Sequence, residues 1–277
     1  MSVQISAADV KKLRDTTGAG MMDCKKALTE AEGDYDKAIE VLRKKGQKLS
    51  DKRADREAKE GVVLAIVSDD HKKGVIVKLS CETDFVSKNE EFIKLTKTFA
   101  DTALSNFPAT REELLALPFG NITIGEKVTE QVGVIGEKIE LAAYEKLEAE
   151  QVAAYIHMGN KAGVLVGLNK SNADYHEAGR DVAMQVAAMH PVAVDEDGVD
   201  QSIIEKEIEI GKEIARNEGK PENLIEKIAL GKLNKFFKEK TLLNQQFVKD
   251  NSLSVSGFLK SKDKELTVTD FKHVTLG

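Results

Sequence analysis

The sequence predicts an α+β protein with an N-terminal three-helix bundle, a duplicated antiparallel-sheet core with helices on one face, and an inserted antiparallel coiled-coil hairpin. Three patterns lead to this prediction. Glycines divide residues 1–54 into three short amphipathic segments, a hairpin followed by a helix occurs twice further along, and residues 199–239 have the apolar period of two long helices. At 277 residues, the chain is long enough for two or three compact units with their own cores.

Three helices are predicted in the first domain, residues 1–54. Ser6 can cap the first helix, which a pair of glycines then ends. The second helix starts near Met21, and the third runs from Asp34 to Gly46. Bundles of this size usually bind other proteins through one helix and the first loop, so this domain is a candidate docking module.

Residues 43–53 are strongly basic. The first domain carries twelve Lys or Arg against nine Asp or Glu, although the whole chain has a net charge of −6. Nucleic-acid binders usually carry a large basic face, so the overall charge argues against direct nucleic-acid binding. We interpret the basic stretch first as a solvated linker, second as a surface for an acidic protein partner, and only third as an RNA contact. The polar segment 49–59 is predicted to be an exposed helical connection.

The core is predicted as two related halves, residues 55–145 and residues 146–198 together with 240–277. Each half contains two strands joined by a turn and followed by a helix. The pattern Gly-Val-x-Val-x-Leu that begins at Gly74 recurs at Gly163. This repeat favours an internal duplication in which each half is an antiparallel sheet with helices on one face.

The strands of these halves are predicted from runs rich in β-branched residues. In the first half they lie at 61–67 and 74–79, and in the second half at 152–157 and 163–168. The strand-like tail at 266–271 can complete the second sheet.

Residues 199–239 are predicted to form two long helices with a reversal at 217–221. Isoleucines on the first helix face leucines and Phe237 on the second, which is the pattern of an antiparallel coiled coil. The sequence leaves open whether this hairpin joins two copies into a homodimer or stays free in solution.

Residues 81–92 place an aromatic side chain where a strand gives way to a helix. Ser87 and Glu90 have the spacing of a capping box, which predicts the start of that helix. A rigid strand and a rigid helix would hold the tip between them in fixed register, as a protruding side chain requires. The alternative is that Phe85 folds back as a lid on the core, and position alone favours this because such corners commonly bury their aromatics. The tip consists of Thr83, Asp84, Phe85 and Val86.

The sequence contains no recognisable catalytic or metal-binding pattern. Its five histidines lack the spacing of a zinc site or of a nucleophile with its base. Cys24 and Cys81 are far apart and read as small buried hydrophobes. We therefore expect a protein that is not an enzyme, with no catalytic residue, no metal and no cofactor, and a hydrolase ranks last among the alternatives.

The start of the chain lacks a basic segment followed by an apolar core, and no run approaches the eighteen or so apolar residues that span a bilayer. We expect a cytoplasmic protein that does not bind membranes.

Two segments resemble the signatures of the bacterial elongation factor Ts family. They are Leu13-Arg-Asp-Thr-Thr-Gly-Ala-Gly-Met-Met-Asp-Cys-Lys-Lys-Ala-Leu28 and Cys81-Glu-Thr-Asp-Phe-Val-Ser-Lys-Asn-Glu-Glu-Phe92. The likeness extends over nearly the whole chain. It implies a ubiquitin-associated-like first domain, a duplicated core and a protruding coiled coil.

The resemblance also implies a function. Members of this family are guanine-nucleotide exchange factors that bind elongation factor Tu carrying GDP, dislocate Mg²⁺ and promote GDP release so that GTP can bind. The main alternative is an adaptor or chaperone without exchange activity, which would not need the Asp84-Phe85 tip.

By similarity, three places on this chain would meet elongation factor Tu. The tip would insert between helices of the nucleotide-binding domain, the first domain would dock on a helix of the same domain, and the second core half would make a further contact. The residues implied are Thr83, Asp84, Phe85 and Val86 in the tip, Met21, Met22 and Lys25 in the first domain, and His157 in the second core half.

Overall fold

The structure is a computed structural model that describes residues 4–277, and it has the α+β architecture that the sequence predicts, with an N-terminal helical bundle and antiparallel sheets. In chain order its elements are α1 (Ala7–Thr17), α2 (Met21–Glu30), α3 (Tyr35–Arg53), β1 (Glu60–Val67), β2 (Lys73–Cys81), α4 (Asp84–Ser87), α5 (Glu90–Asn106), α6 (Arg111–Ala116), β3 (Pro118–Phe119), β4 (Ile122–Thr123), α7 (Ile124–Ile135), β5 (Glu140–Glu148), β6 (Gln151–His157), β7 (Ala162–Leu168), α8 (Tyr175–Met189), α9 (Gln201–Asn217), α10 (Glu222–Lys240), a 3-10 turn (Leu242–Asn244), β8 (Gln246–Phe247), β9 (Asp250–Ser254), α11 (Val255–Lys262) and β10 (Val268–Thr275).

The chain divides into two compact units. The first contains the chain up to Leu64, Val77–Glu145 and Thr275–Gly277, and the second contains Ala65–Ile76 and Lys146–Val274. The domain boundaries predicted from the sequence stay predictions.

The first three helices form a bundle with its own core. Ser6 caps α1 through a capping box with Asp9, as predicted, and Gly18 ends the helix in the left-handed conformation at φ 71°. The buried side chains of the bundle are small or of medium size, namely Val10, Leu13, Ala19, Cys24, Ala27, Leu28, Ala31 and Ala38.

The prediction that the third helix ends at Gly46 is wrong, because α3 continues to Arg53. Gly46 is buried in mid-helix, where α3 crosses α7, and a Cβ there would lie 3.1 Å from the carbonyl oxygen of Thr129. The glycine therefore permits a close helix crossing and is not a stop signal. The segment 49–59 is helical only as far as Arg53.

The basic stretch is part of this helix and is not a free linker. Arg43 pairs with Glu130 at 3.2 Å, and Lys45 pairs with Asp23. Arg53 pairs with Glu82. The basic side chains thus join α3 to other parts of the first unit.

Two three-stranded sheets confirm that the hairpin pattern occurs twice. The first sheet has the order β1-β2-β5 and the second the order β10-β7-β6. In each, a hairpin is followed by a helix, and the third strand lies beside the second strand of the hairpin. The tail strand completes the second sheet as predicted, and β6 pairs with β7 from Gln151↔Leu168 to His157↔Ala162.

The core of the second unit lies between β7, α8 and the C-terminal elements. Every residue of β7 is buried, because the strand is central in its sheet. The cluster joins Val164, Val166 and Leu168 to Val182 and Val186 of α8, and to Leu242, Phe247, Val255, Leu259 and Val268 from later elements.

The predicted helical hairpin is present as α9 and α10. Close packing of the two helices depends on Gly211, where a Cβ would lie 3.0 Å from the Cα of Ala229. Leu233 and Phe237 lie in an apolar cluster with Ala193 and Val199. Dimer formation through this hairpin stays a prediction. None of the helices among residues 4–277 is long and apolar enough to cross a membrane.

A pair of glycine substitutions tests the close crossing of α3 and α7. A Cβ at Gly133 would lie 2.9 Å from the Cα of Gly46, and only backbone movement can relieve that contact. We expect Gly133→Ala to lower the free energy of unfolding by about 1–3 kcal/mol. Gly231 in α10 has open space around it, so Gly231→Ala should raise the free energy of unfolding by up to about 1 kcal/mol. Thermal unfolding followed by circular dichroism compares the two, and shifts of the same sign would contradict the crossing.

Candidate functional site

The tip predicted from the sequence is one turn of helix, α4, with Phe85 on its outer side. The Phe85 side chain is 84% exposed. The alternative in which this ring forms a lid on the core is therefore wrong. Thr83, Asp84 and Val86 are partly buried, so the turn rests on the protein while the ring points away from it.

The predicted capping box is also wrong. Asn89, not Ser87, caps α5, since its side-chain oxygen accepts hydrogen bonds from the N–H groups of Glu91 at 2.9 Å and Phe92 at 3.3 Å. The Ser87 hydroxyl donates to the Asp84 carbonyl at 3.1 Å. Ser87 thus belongs to α4, and the next helix starts three residues later.

The strand that leads to the tip is anchored in the core. Cys81 is fully buried at the end of β2, as the sequence predicted, and its thiol donates to the Thr83 carbonyl at 3.2 Å. Burial raises the pKa of Cys81 to about 12. This thiol is a structural group and not a nucleophile.

Two glutamates hold the chain where it leaves β2. Glu137, in the connection from α7 to β5, accepts hydrogen bonds from the N–H groups of Glu82 and Thr83 at 3.0 Å each and from the Thr83 hydroxyl at 2.7 Å. In return, the N–H of Lys138 donates to the Glu82 carboxylate at 2.6 Å. We call this reciprocal arrangement the Glu82–Glu137 clasp. It fixes the residues immediately before α4.

The Glu82 carboxylate also binds the end of α3. Its side chain is 15% exposed and pairs with Arg53, the last residue of α3, and with Arg56 at 3.5 Å. Burial alone would raise the pKa of Glu82, but the Lys138 N–H and the two arginines lower it below its usual range. The carboxylate therefore stays ionised and charge-assisted.

Asp84 carries an exposed charge beside Phe85. Its carboxylate is 2.6 Å from the ammonium of Lys88, one turn further on. The hydrogen bond from Lys88 and its positive charge lower the pKa of Asp84. The tip thus presents an aromatic ring and an ionised carboxylate together.

The residues predicted in the first domain lie on one exposed face of α2. Met21 is 57% exposed and Met22 is 64% exposed. Lys25 is exposed next to them, one turn along the helix, whereas Cys24 and Leu28 face the bundle core. Exposed methionines form an adaptable apolar surface, which suits a protein contact.

His157 lies at the end of β6, in the second unit. Its Nδ1 is 3.0 Å from the hydroxyl of Tyr155. The turn that follows has three residues with positive φ, and its first residue, Met158, is 71% exposed. His157 and Met158 thus lie at the tight turn between the two strands of the second hairpin.

Four of the five histidines, scattered in the sequence, form two ring pairs in the structure. The rings of His190 and His273 are 4.9 Å apart, and those of His71 and His176 are 4.6 Å apart. Burial lowers the pKa of His273, and His190 and His157 lower it further. No group of three or more His, Cys, Asp or Glu side chains among residues 4–277 could hold a metal ion.

Comparison with known proteins identifies the family. A family model described as Elongation factor TS matches residues 82–277. The chain belongs to the elongation factor Ts family. It is 56% identical over 274 residues to elongation factor Ts of Christiangramia forsetii and 55% identical over 273 residues to that of Flavobacterium psychrophilum, with 99% of each chain covered in both cases. It is 46% identical to elongation factor Ts of Chlorobaculum tepidum, again with 99% of each chain covered.

Membership in the elongation factor Ts family places the chain among the elongation factors of protein biosynthesis. The resemblance inferred from the two sequence signatures is thereby confirmed. The roles of the individual tip, α2 and His157 residues stay predictions. The match of the family model begins at Glu82, the residue at which the clasp starts.

Sequence reasoning missed the two glutamates of the clasp. Glu82 is part of a recognised signature, but nothing in its neighbourhood shows that its carboxylate is bound by Arg53. Glu137 lies 55 residues further along, in a stretch for which the sequence predicted no element. A carboxylate next to a helix-ending glycine is too common to have indicated this role.

The Asp84–Lys88 pair gives a prediction about the charge on the tip. We expect Lys88→Ala to raise the pKa of Asp84 toward the ordinary value of about 3.9, because the largest stabilising contact of the ionised form is lost. Lys97→Ala breaks a similar pair with Asp101 in α5 and should leave the pKa of Asp84 unchanged. A carboxyl ¹³C NMR titration measures the pKa of Asp84 in both variants. An unchanged pKa of Asp84 in Lys88→Ala would show that the pair does not form in solution.

Proposed function

We propose that this chain is a guanine-nucleotide exchange factor that binds elongation factor Tu carrying GDP and promotes GDP release so that GTP can bind. Family membership supports the partner and the reaction. The observation that carries the mechanism is the exposed ring of Phe85, 84% accessible on a turn anchored at both ends. The protein would act in the cytoplasm, where translation factors work, and would not be an enzyme itself.

The proposed mechanism relies on how nucleotides and Mg²⁺ are held in a pocket. Mg²⁺ requires near-ideal octahedral geometry, and phosphates depend on backbone N–H groups aligned at a helix start. A wedge that shifts these elements by an ångström or so weakens both sets of interactions. In this proposal the Phe85 ring separates the helices of the partner, and Thr83 and Val86 support it. The ionised Asp84 carries a negative charge toward the displaced Mg²⁺.

The energy of the wedge alone is too small for complete opening. Burying one phenylalanine contributes about 1.5–3 kcal/mol, whereas shifting a two-state partner almost fully to its open form needs about 5.5 kcal/mol of differential binding. The remaining free energy has to come from other contacts. The exposed face of α2 with Met21, Met22 and Lys25, and the sheet end with His157, are proposed to supply it.

Thermodynamic linkage makes the effect reciprocal. If this protein weakens the binding of GDP by some factor, bound GDP weakens the binding of this protein by the same factor. A nucleotide that enters the open pocket therefore displaces the exchange factor. Exchange in this scheme needs no chemical step on the present chain.

Removal of the wedge should separate binding from exchange. We expect the double variant Phe85→Ala and Asp84→Ala to bind elongation factor Tu but to release GDP at least about tenfold more slowly, the effect of losing about 1.4 kcal/mol. Fluorescent GDP released from elongation factor Tu measures the rate, and titration calorimetry measures binding. Leu230→Ala removes an exposed apolar side chain from α10 and serves as the control.

Release at the wild-type rate by the double variant would refute the wedge. If the wild-type protein also failed to accelerate GDP release, the alternative of an adaptor that binds without exchange activity would fit instead. Because Phe85 is exposed, the double variant should unfold at nearly the same temperature as the wild type.

The α2 face should affect affinity and not the maximal rate. We expect Met21→Ala with Met22→Ala to raise the concentration needed for half-maximal GDP release by about tenfold, and to change the maximal rate less than about twofold, since a contact remote from the nucleotide contributes uniform binding. Lys37→Ala, exposed in the same bundle, is the control. A fall in maximal rate with unchanged half-saturation would show that α2 does not act as a docking face.

A further inference from the structure

The turn that carries Phe85 is too short to hold its own shape. α4 has four residues, and isolated helices shorter than about 12–15 residues are marginal in water. The direction of the ring is therefore set by what lies before and after the turn. On the C-terminal side this is α5 with its Asn89 cap, and on the N-terminal side it is the Glu82–Glu137 clasp.

We propose that the Glu82–Glu137 clasp and Arg53 are the positioning residues of the exchange reaction, which fix the direction of Phe85 relative to the N-terminal bundle. This inference rests on the proposed function and names the residues that make the wedge stiff. The side chains of Arg53 and Glu82 are only 24% and 15% exposed.

Glu137 is suited to this role by the number of groups that it holds. One carboxylate accepts two backbone N–H groups and one hydroxyl, all within 3.0 Å, from two consecutive residues. Hydrogen bonds to an ionised acceptor are about twice as strong as neutral ones. The N–H groups of Glu82 and Thr83 lie beyond the end of β2 at Cys81, and Glu137 is their acceptor. The carboxylate thus extends the order of the strand by two residues, as far as the start of α4.

Arg53 connects this clasp to the bundle through a single helix. α3 has 19 residues, or about 28 Å at 1.5 Å per residue, and it runs from the bundle core at Ala38 to the carboxylate of Glu82. The ammonium of Lys138 also holds the exit of α3, since it donates to the carbonyl oxygens of Ala54 at 2.7 Å and Arg56 at 2.9 Å. The α2 docking face and the Phe85 turn are thus joined by helix and ion pair within one unit.

A double-mutant cycle tests whether Glu137 acts through Phe85. We expect Glu137→Ala to slow GDP release from elongation factor Tu by about tenfold at saturating concentration, the loss expected when an anchoring hydrogen-bond network fails. In a Phe85→Ala background the same change should alter release less than about twofold, because the wedge is already absent. Glu137→Gln keeps the size of the side chain and guards against misfolding, and Glu148→Ala, an exposed carboxylate at the end of β5, is the matched control.

A graded pair of arginine variants tests the connection to α3. Arg53→Ala should slow release several-fold, and Arg56→Ala, whose side chain is more exposed and lies 3.5 Å from Glu82, should have a smaller effect. Equal effects of the two variants would show that Arg53 has no special role.

Amide hydrogen exchange in the free protein gives a readout that is independent of the partner. We expect faster exchange at Thr83 and Lys88 in Glu137→Ala and unchanged exchange in Glu148→Ala. Unchanged exchange in Glu137→Ala, wild-type release rates, or equal slowing with and without Phe85 would each overturn the inference. Failure of the wild type to accelerate GDP release would instead refute the proposed function. Amide hydrogen exchange would still decide whether the clasp holds the turn.

Discussion

The turn at Asp84–Ser87 depends on a carboxylate that comes from a distant part of the chain. Four residues cannot form a stable helix alone, and Phe85, at 84% exposure, gains too little burial against its own chain to hold it in place. Glu137 fixes the backbone just before the turn. The Glu82 carboxylate in turn accepts a hydrogen bond from the N–H of Lys138, the residue that follows Glu137. Each glutamate satisfies a backbone donor of the other segment, so neither segment is ordered in this way without the other.

This arrangement explains how an exposed aromatic side chain can be both accessible and stiff. Exposure makes apolar area available for a partner, but a mobile side chain would lose conformational entropy on binding. A turn anchored by β2, by the clasp and by the cap of α5 has already lost most of its backbone freedom during folding. The conformational entropy of the turn is lost when the chain folds, so little more of it is lost when Phe85 contacts a partner.

Much of the architecture follows from local signals. The Ser6 cap, the break at Gly18 and the reversal between α9 and α10 lie where residue chemistry predicts them, because caps and turns depend on neighbours within a few residues. Runs rich in β-branched residues likewise located the strands of both hairpins. By contrast, Gly46 was misread as a stop, since only the approach of α7 shows why a glycine is needed in the middle of α3.

The sequence by itself determined the three-helix bundle, the two hairpins with the helix after each, the helical hairpin, the burial of both cysteines and the family to which the chain belongs. It did not indicate α6, α7 or β5, the strand that completes the first sheet. Tertiary structure alone decided that Phe85 points outward, that the basic residues of α3 pair within their own unit, and that Glu82 meets Glu137. The reason is the range of the interactions. A cap or a turn depends on residues within three or four positions in the sequence. The direction of a side chain at a corner depends instead on which distant segment packs against its backbone.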